Sequence, residues 1–412
     1  MLSRVQRVVE LYGETMGASR LLEIDSGGHF SPADPIPAVG MRLEMLEELA
    51  EAGLRTTLPF TLDPRGPLDL DALSLSDEER RLFVEQAEGQ SRYLELMLAL
   101  GLRDDQAYTC TPYLSEVGNR PPRDAVVAWS ESSCVVYANS VLGARTNRTP
   151  AIVDLFSNIV GYTPEFGLLT DDGRRATWRI AVTTRSLPAP QLLGAFIAGR
   201  VVADVPYVVG LDALLGAGMN AAAEDYLKEM GAACAAVGGA VGLFHVEGIT
   251  PEAVEHGRRL VVPDARSVTV DDSALERLES QYRAARVGAP APERCVIGCP
   301  HLSSAELDWW VNAIADSVHA GGARRVAVQT ILSAAPQVIG NYLSTAGAGR
   351  RVAELGIELS PDCLEAFMDN PACAKRPTVT TSNKLRAYTT ARLLGVDEIL
   401  AVIAGASGGA DG

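Results

Sequence analysis

The last third of the chain most constrains the fold. CVIGCP (295–300) is a short apolar run, and HLSSAELDWWVNAIADSVH reads as a helix opened by a capping box, Ser303 with Glu306. RRVAVQT is a second strand, followed by a helix, GIELS, TVTTS and a last helix through RAYTTARLLG. Strand and helix in strict alternation require crossover connections, and so a parallel, doubly wound sheet. Ligands of such sheets sit beyond the carboxyl ends of the strands. Cys299, Ser360–Cys363 and Ser382–Lys384 fall at or just past such ends.

Upstream, apolar residues recur at helical spacing from Val39 to Ala52, and LRTTLPFTL reads as a strand. A Ser76–Glu79 capping box opens a helix running to about Leu100, stopped by Gly101. The middle section alternates again: TWRIAVTTR and PYVVGL as strands, EDYLKEMGAACAAVG as a helix, VGLFHVEGITPEAVEHG as a strand entering a Thr-Pro-Glu helix start. VGAPAPE (287–293) is the best linker. We expect three lobes, 1–148, 149–288 and 289–405, and a disordered tail, 406–412.

Residues 129–148, WSESSCVVYANSVLGARTNR, fit neither periodicity. Glu131, Asn139, Asn147, Arg145 and Arg148 surround an apolar centre, Cys134–Ala138. A solvated loop would be polar throughout, and an ordinary amphipathic element would keep its polar groups on one face. The mixture describes a buried ledge whose polar side chains converge on a ligand.

The net charge of −16 supplies no basic stripe for phosphates, which argues against nucleic acid. Absence of any run of about 18 apolar residues argues against a membrane span. The N-terminus, with Glu10 inside its apolar segment, does not read as a signal peptide, and the expected compartment is the cytoplasm. There is no GxGxxG, GxxxxGK[ST] or GxSxG in a supporting context, so nucleotide-binding and serine-hydrolase readings have no basis.

Seven cysteines occur without a CxxC pair. Cys110 in TCTPY, Cys299 in IGCPH and Cys363 in SPDC each follow a strand or sit in a polar loop, and thiolates from separate loops can gather into one iron–sulfur site. Cys134 and Cys234 read as core, Cys295 as the start of a buried strand, and Cys373 as lying near a surface turn. His301 could support a metal site or cap the following helix. His245 reads as a satisfied core histidine, and His29 as a loop residue with no evident partner.

On the ledge, the chain resembles the aconitase X family, whose members read close to E-S-x-x-V-x-x-A-N-S-V-x-G-A-R-T-N-R. YTCTPY, the GRVV and VPY segment, GLFHVEGITPEA, VIGCPHLS, SPDC and Thr381–Tyr388 resemble further family landmarks in the same order. The resemblance implies an aconitase-like α/β architecture of several lobes with parallel or mixed sheets flanked by helices. It implies a hydro-lyase that removes water from a small hydroxy acid, with an iron–sulfur cluster on Cys110, Cys299 and Cys363. It puts forward Glu131, Ser382 and Lys384 as catalytic, and Ser132, Asn139, Ser140, Arg145, Thr146, Asn147 and His301 as substrate-binding. Family members also include a small swivelling domain, fused or separate, with a Gly-Arg-Gly-Ser-Ser type loop. That loop is absent from these 412 residues, so a separate small subunit is expected to complete the site and supply the base.

The chain departs from the family pattern at LLEIDSGGHFSPAD, at Asp63 in Thr61-Leu62-Asp63, and at Cys134, where a smaller residue is usual. The leading expectation for the substrate is cis-3-hydroxy-L-proline. Mevalonate 5-phosphate is the alternative within the class, which would want extra cations for its phosphate. A cluster-free binding or assembly subunit and a cysteine-nucleophile enzyme using His301 are the alternatives from other classes.

Overall fold

A computed structural model describes residues 1–31, 39–67, 69–237 and 240–405. The tail expected to be disordered lies outside the described residues. These residues form two compact units, one of 1–31, 39–63 and 91–281, the other of 64–90 and 282–405.

In the first unit, β1 (Leu21–Glu23) pairs with a later strand, and β2 (His29–Phe30) pairs in parallel with β3 (Thr61–Leu62). β4 (Tyr162–Pro164) is the antiparallel partner of β1. The core of the unit is a parallel sheet of β5 (Ala176–Val182), β6 (Pro206–Val209), β7 (His245–Val246) and β8 (Val261–Val270), in the order β7-β6-β5-β8. β6 is buried along its whole length, as a strand covered on both faces must be. The helices Pro190–Val201 and Ala221–Ala236 pack closely together, and Gly194 permits it: a Cβ there would meet the Met230 carbonyl at 2.3 Å. The strands expected over LRTTLPFTL and VGLFHVEG shrink to two residues each, because loop and cap hydrogen bonds take the flanking backbone groups.

The second unit is a five-stranded parallel sheet: β9 (Arg294–Leu302), β10 (Gln329–Ala334), β11 (Ile357–Ser360), β12 (Thr378–Thr380) and β13 (Arg392–Leu393). The order β11-β10-β9-β12-β13 reverses between β9 and β12. That is the doubly wound arrangement the alternation demanded, and its switch point lies at the carboxyl ends of β9 and β12. The expected capping boxes at Ser76 and Ser303 both form. The helix expected from Ser76 to Leu100 is two helices, Asp77–Gln86 and Gln90–Leu100, parted at Gly89 with φ +86°. Glu79 from the first of them makes a buried ion pair with Arg294 at 2.6 Å, and that guanidinium lies over the Phe367 ring. Cys373, expected near a surface turn, is fully buried in the core around Phe83, Phe367 and Leu385.

Candidate active site

The ledge is helical. Ser132–Tyr137 is a short α-helix that runs into a π-turn, Ala138–Leu142, ended by Gly143 at φ +70°. Such π-turns widen a helix where backbone must be re-aimed, and they recur at functional sites. Glu131 is its N-cap. One carboxylate oxygen accepts from the Cys134 amide and the Ser133 hydroxyl, each at 2.6 Å, and the other from the Ser132 hydroxyl at 3.2 Å. A buried carboxylate at a helix N-terminus is stabilised by those donors and by the helix dipole.

The amides and hydroxyls of the ledge are spent inside the unit. Asn139 donates to the Thr146 and Gly242 carbonyls, and its oxygen accepts from the Thr146 amide and from Arg174. Ser140 accepts from the Phe244 amide, and Thr146 accepts from the Trp129 amide while donating to the Asn147 carbonyl. Asn147 ties the ledge to Phe166 and Leu168. Arg145 differs: its guanidinium is 24% exposed, paired at 2.7 Å with Asp171, whose side chain is 89% exposed, and it reaches the Leu169 carbonyl.

Sequence reasoning missed what holds this together. Arg174, 1% exposed, grips both oxygens of Glu252 at 2.8 and 3.0 Å. It also donates to the Asn139 side chain and to the carbonyls of Leu168, Asn139 and Ala144. Burial pulls its pKa below the ordinary value while Glu252 opposes. His245 donates from Nε2 to the Arg174 carbonyl, 2.8 Å away, and burial lowers its pKa, so it is the satisfied core histidine expected. Nothing local in DDGRRATWRI marks Arg174 out among its neighbours.

His29 also departs from expectation. It lies in β2, fully buried, with Nδ1 2.9 Å from the Thr61 hydroxyl and Nε2 3.0 Å from the Asp63 carboxylate. The partners are 32 and 34 residues away, so no local reading finds them. Cys134, buried, donates to the Cys110 carbonyl at 3.2 Å, and burial beside Glu131 and Asp63 holds its thiol well above the usual range.

In the second unit the carboxyl ends of the strands gather the remaining candidates. Cys299 follows Gly298, whose φ of +109° and close approach to the Ser333 carbonyl allow only glycine. Cys363 caps the helix Leu364–Met368, its sulfur accepting from the Ala366 amide at 3.5 Å. The preceding Asp362 carbonyl accepts from Ser333 at 2.8 Å, and the buried His301 ring nitrogen lies 3.4 Å from it. Burial raises the Asp362 carboxyl to about 6 against the pull of Ser360 and Arg65. Helix capping falls to Ser303, not His301. Ser382 caps the helix Asn383–Tyr388 through the Leu385 amide at 3.2 Å, which sets Lys384 in its first turn.

The cysteines divide cleanly. Cys110, Cys299 and Cys363 are partly exposed, whereas Cys134, Cys234, Cys295 and Cys373 are buried. Burial pushes the Cys234 and Cys373 thiols up to about 12 and Cys295 higher still. Cys234 and Cys295, buried with no ionisable group acting on them, resist the ionisation that metal ligation requires. The amide hydrogen bond onto Cys363 sulfur is the kind that tunes a cluster thiolate.

Residues 2–172 match the aconitase X first domain, and 176–280 the aconitase X second domain. The phosphomevalonate dehydratase large subunit of Thermococcus kodakarensis is 32% identical over 314 residues, 74% of this chain and 71% of the relative. The cis-3-hydroxy-L-proline dehydratase of Hypocrea jecorina is 31% identical over 370 residues, 84% of this chain and 56% of the relative. The crystal structure of Thermococcus kodakaraensis aconitase X in its holo form superposes with a TM-score of 0.77 at 27% identity, over 97% of this chain and 94% of that one. The chain therefore belongs to the aconitase X family.

Proposed function

We propose that the chain is the large subunit of an iron–sulfur hydro-lyase that dehydrates a small, singly carboxylated hydroxy acid, with cis-3-hydroxy-L-proline as the leading substrate. The observation that carries the substrate class is the state of the ledge's cations. Arg174 is locked onto Glu252, Arg148 onto the Ala235 carbonyl, and only Arg145 has a solvent-exposed acidic partner that a substrate can displace. One releasable guanidinium suits one carboxylate, held through two parallel N–H···O bonds.

Cys110, Cys299 and Cys363 are the proposed cluster ligands. When bound, the cluster supplies a Lewis acid for the leaving hydroxyl. The chain's own groups do the rest. Arg145 fixes the carboxylate, and Asn139, Ser140, Thr146 and Asn147 hold the ledge rigid behind it. Ser132, Ser133 and the Cys134 amide hold the Glu131 carboxylate in place. Ser382 and Lys384 are set at the switch-point end of β12, where a hydroxyl and an ammonium can hold or pass a proton. The α-proton acceptor comes from a small partner subunit. The relatives from Thermococcus kodakarensis and Methanothermobacter thermautotrophicus are named as large subunits, which supports a chain that works with a partner subunit.

A second reading, mevalonate 5-phosphate dehydration, is favoured by the name and coverage of the phosphomevalonate dehydratase large subunits. Anaerobic reconstitution with the small subunit, followed by proton NMR of hydroxyprolines and mevalonate 5-phosphate, separates the two. Olefinic or imine product from cis-3-hydroxy-L-proline supports the first reading. Turnover of the phosphate ester alone replaces it with the second, and turnover of neither by an iron-loaded complex rejects both.

A further inference from the structure

We propose that His29, Asp63 and Cys134 form a second metal site, a mononuclear Zn²⁺ site separate from the thiols assigned to the cluster. One ligand atom from each residue, a ring nitrogen, a carboxylate oxygen and a sulfur, lies within 4.8 Å of the other two. Tetrahedral zinc holds nitrogen, oxygen and sulfur at about 2.0–2.3 Å, which sets neighbouring ligand atoms roughly 3.5 Å apart. The His29 Nε2 to Asp63 distance is already 3.0 Å, and the Cys134 sulfur lies within 4.8 Å of both ligand atoms. A set of one nitrogen, one sulfur and one oxygen is borderline-soft, which suits Zn²⁺ over Mg²⁺ or Ca²⁺.

The surroundings are those of a built site. His29 is aimed by its other nitrogen: Nδ1–H can donate to the Thr61 hydroxyl at 2.9 Å, leaving Nε2 for the metal. Thr61 is itself fixed by the Asn119 amide, which also holds the Gly28 carbonyl. This is the outer hydrogen-bonding that orients a ligating imidazole. His29 and Cys134 are fully buried, and Asp63, with a side chain 14% exposed, gives an entry path.

A second observation points to a ligand. The Tyr113 hydroxyl is buried and has no hydrogen-bond partner, and it lies close enough to Cys134, Cys110 and Glu131 to feel each electrostatically. Its ring is stacked on Tyr137 at 3.6 Å, so it cannot swing away. Three protein ligands leave zinc a fourth position that a water would fill, and an unsatisfied buried hydroxyl beside Cys134 is a candidate partner for it.

The inference is independent of the dehydratase reading, and its test reads metal rather than turnover. The full chain is stripped with chelator, dialysed against Zn²⁺ and counted by plasma mass spectrometry, in a Cys299→Ser/Cys363→Ser background that removes two of the three thiols assigned to the cluster. The expected result is one tight zinc per chain, weakened a hundredfold or more in Cys134→Ala and in Asp63→Asn. Asp63→Asn is isosteric and Cys134→Ala removes a single heavy atom, and far-UV circular dichroism confirms that each has folded. Co²⁺ in place of zinc should show a sulfur-to-cobalt charge-transfer band that Cys134→Ala abolishes. Absence of zinc binding in the parent, or unchanged affinity in both folded variants, overturns the proposal.

Discussion

Replacing Arg174 by methionine tests how the ledge is held. The substitution removes six N–H···O bonds at once, two to Glu252 and four to Asn139, Leu168 and Ala144. It also leaves the Glu252 carboxylate, 8% exposed, without its partner. Breaking a buried pair by deleting one member costs about 3–5 kcal/mol, because the remaining charge stays desolvated. With a urea m-value of about 3 kcal/mol/M, the midpoint of unfolding drops by roughly 1–2 M. Glu252→Leu alone should cost a similar amount. The double variant Arg174→Met/Glu252→Leu should cost less than either single change, since no buried charge then remains uncompensated. Urea titrations of the four proteins by far-UV circular dichroism complete the cycle. A single-variant cost below about 1 kcal/mol, or a double cost equal to the sum of the singles, refutes the claim that this pair is the ledge's anchor.

Other perturbations follow from particular residues. Burial raises the Asp154 carboxyl from 3.8 to about 7, opposed by the Thr149 hydroxyl. Its folded pKa lies above the unfolded one, so its contribution to stability is full below about pH 4 and is lost as pH rises through 7. Three units correspond to roughly 4 kcal/mol, and urea midpoints of Asp154→Asn should be flatter than those of the parent over that window. Gly298→Ala places a Cβ 2.1 Å from the Ser333 carbonyl at φ +109°, and should cost at least about 2–3 kcal/mol in thermal or urea unfolding. Ser382→Ala should lose about 1 kcal/mol with the cap, while Ser382→Asn restores stability. If the hydroxyl also serves the reaction, kcat stays low in both, and recovery of kcat in the asparagine variant assigns Ser382 to capping alone.

Much of this architecture was legible in the sequence, for physical reasons. The parallel sheet of the second unit followed from strand–helix alternation and two capping boxes, signals that depend only on neighbours in the chain. The division of the cysteines followed from their immediate surroundings: polar loops for Cys110, Cys299 and Cys363, apolar runs for Cys134, Cys234 and Cys295. What escaped were contacts made across long sequence separations. Arg174 and Glu252 stand 78 residues apart, and Glu79 and Arg294 stand 215 apart. His29 seemed unpartnered because β2 pairs with a strand thirty residues on. Cys373 was misplaced because a run such as NPACAKR reads as surface until the Phe83 and Phe367 rings cover it. The ledge reads from its sequence as a ligand-facing element, and tertiary hydrogen bonds decide which of its polar groups remain available. Those bonds leave Arg145 as the displaceable one.

The most direct test of the central claim is the iron and sulfide content of anaerobically reconstituted single-cysteine variants, read beside their visible absorbance. Cys110→Ser, Cys299→Ser and Cys363→Ser should each lose the cluster absorbance and the bound iron, while Cys234→Ser and Cys295→Ser keep both. Full iron content in any of the first three, or its loss in both folded controls, would contradict the assignment.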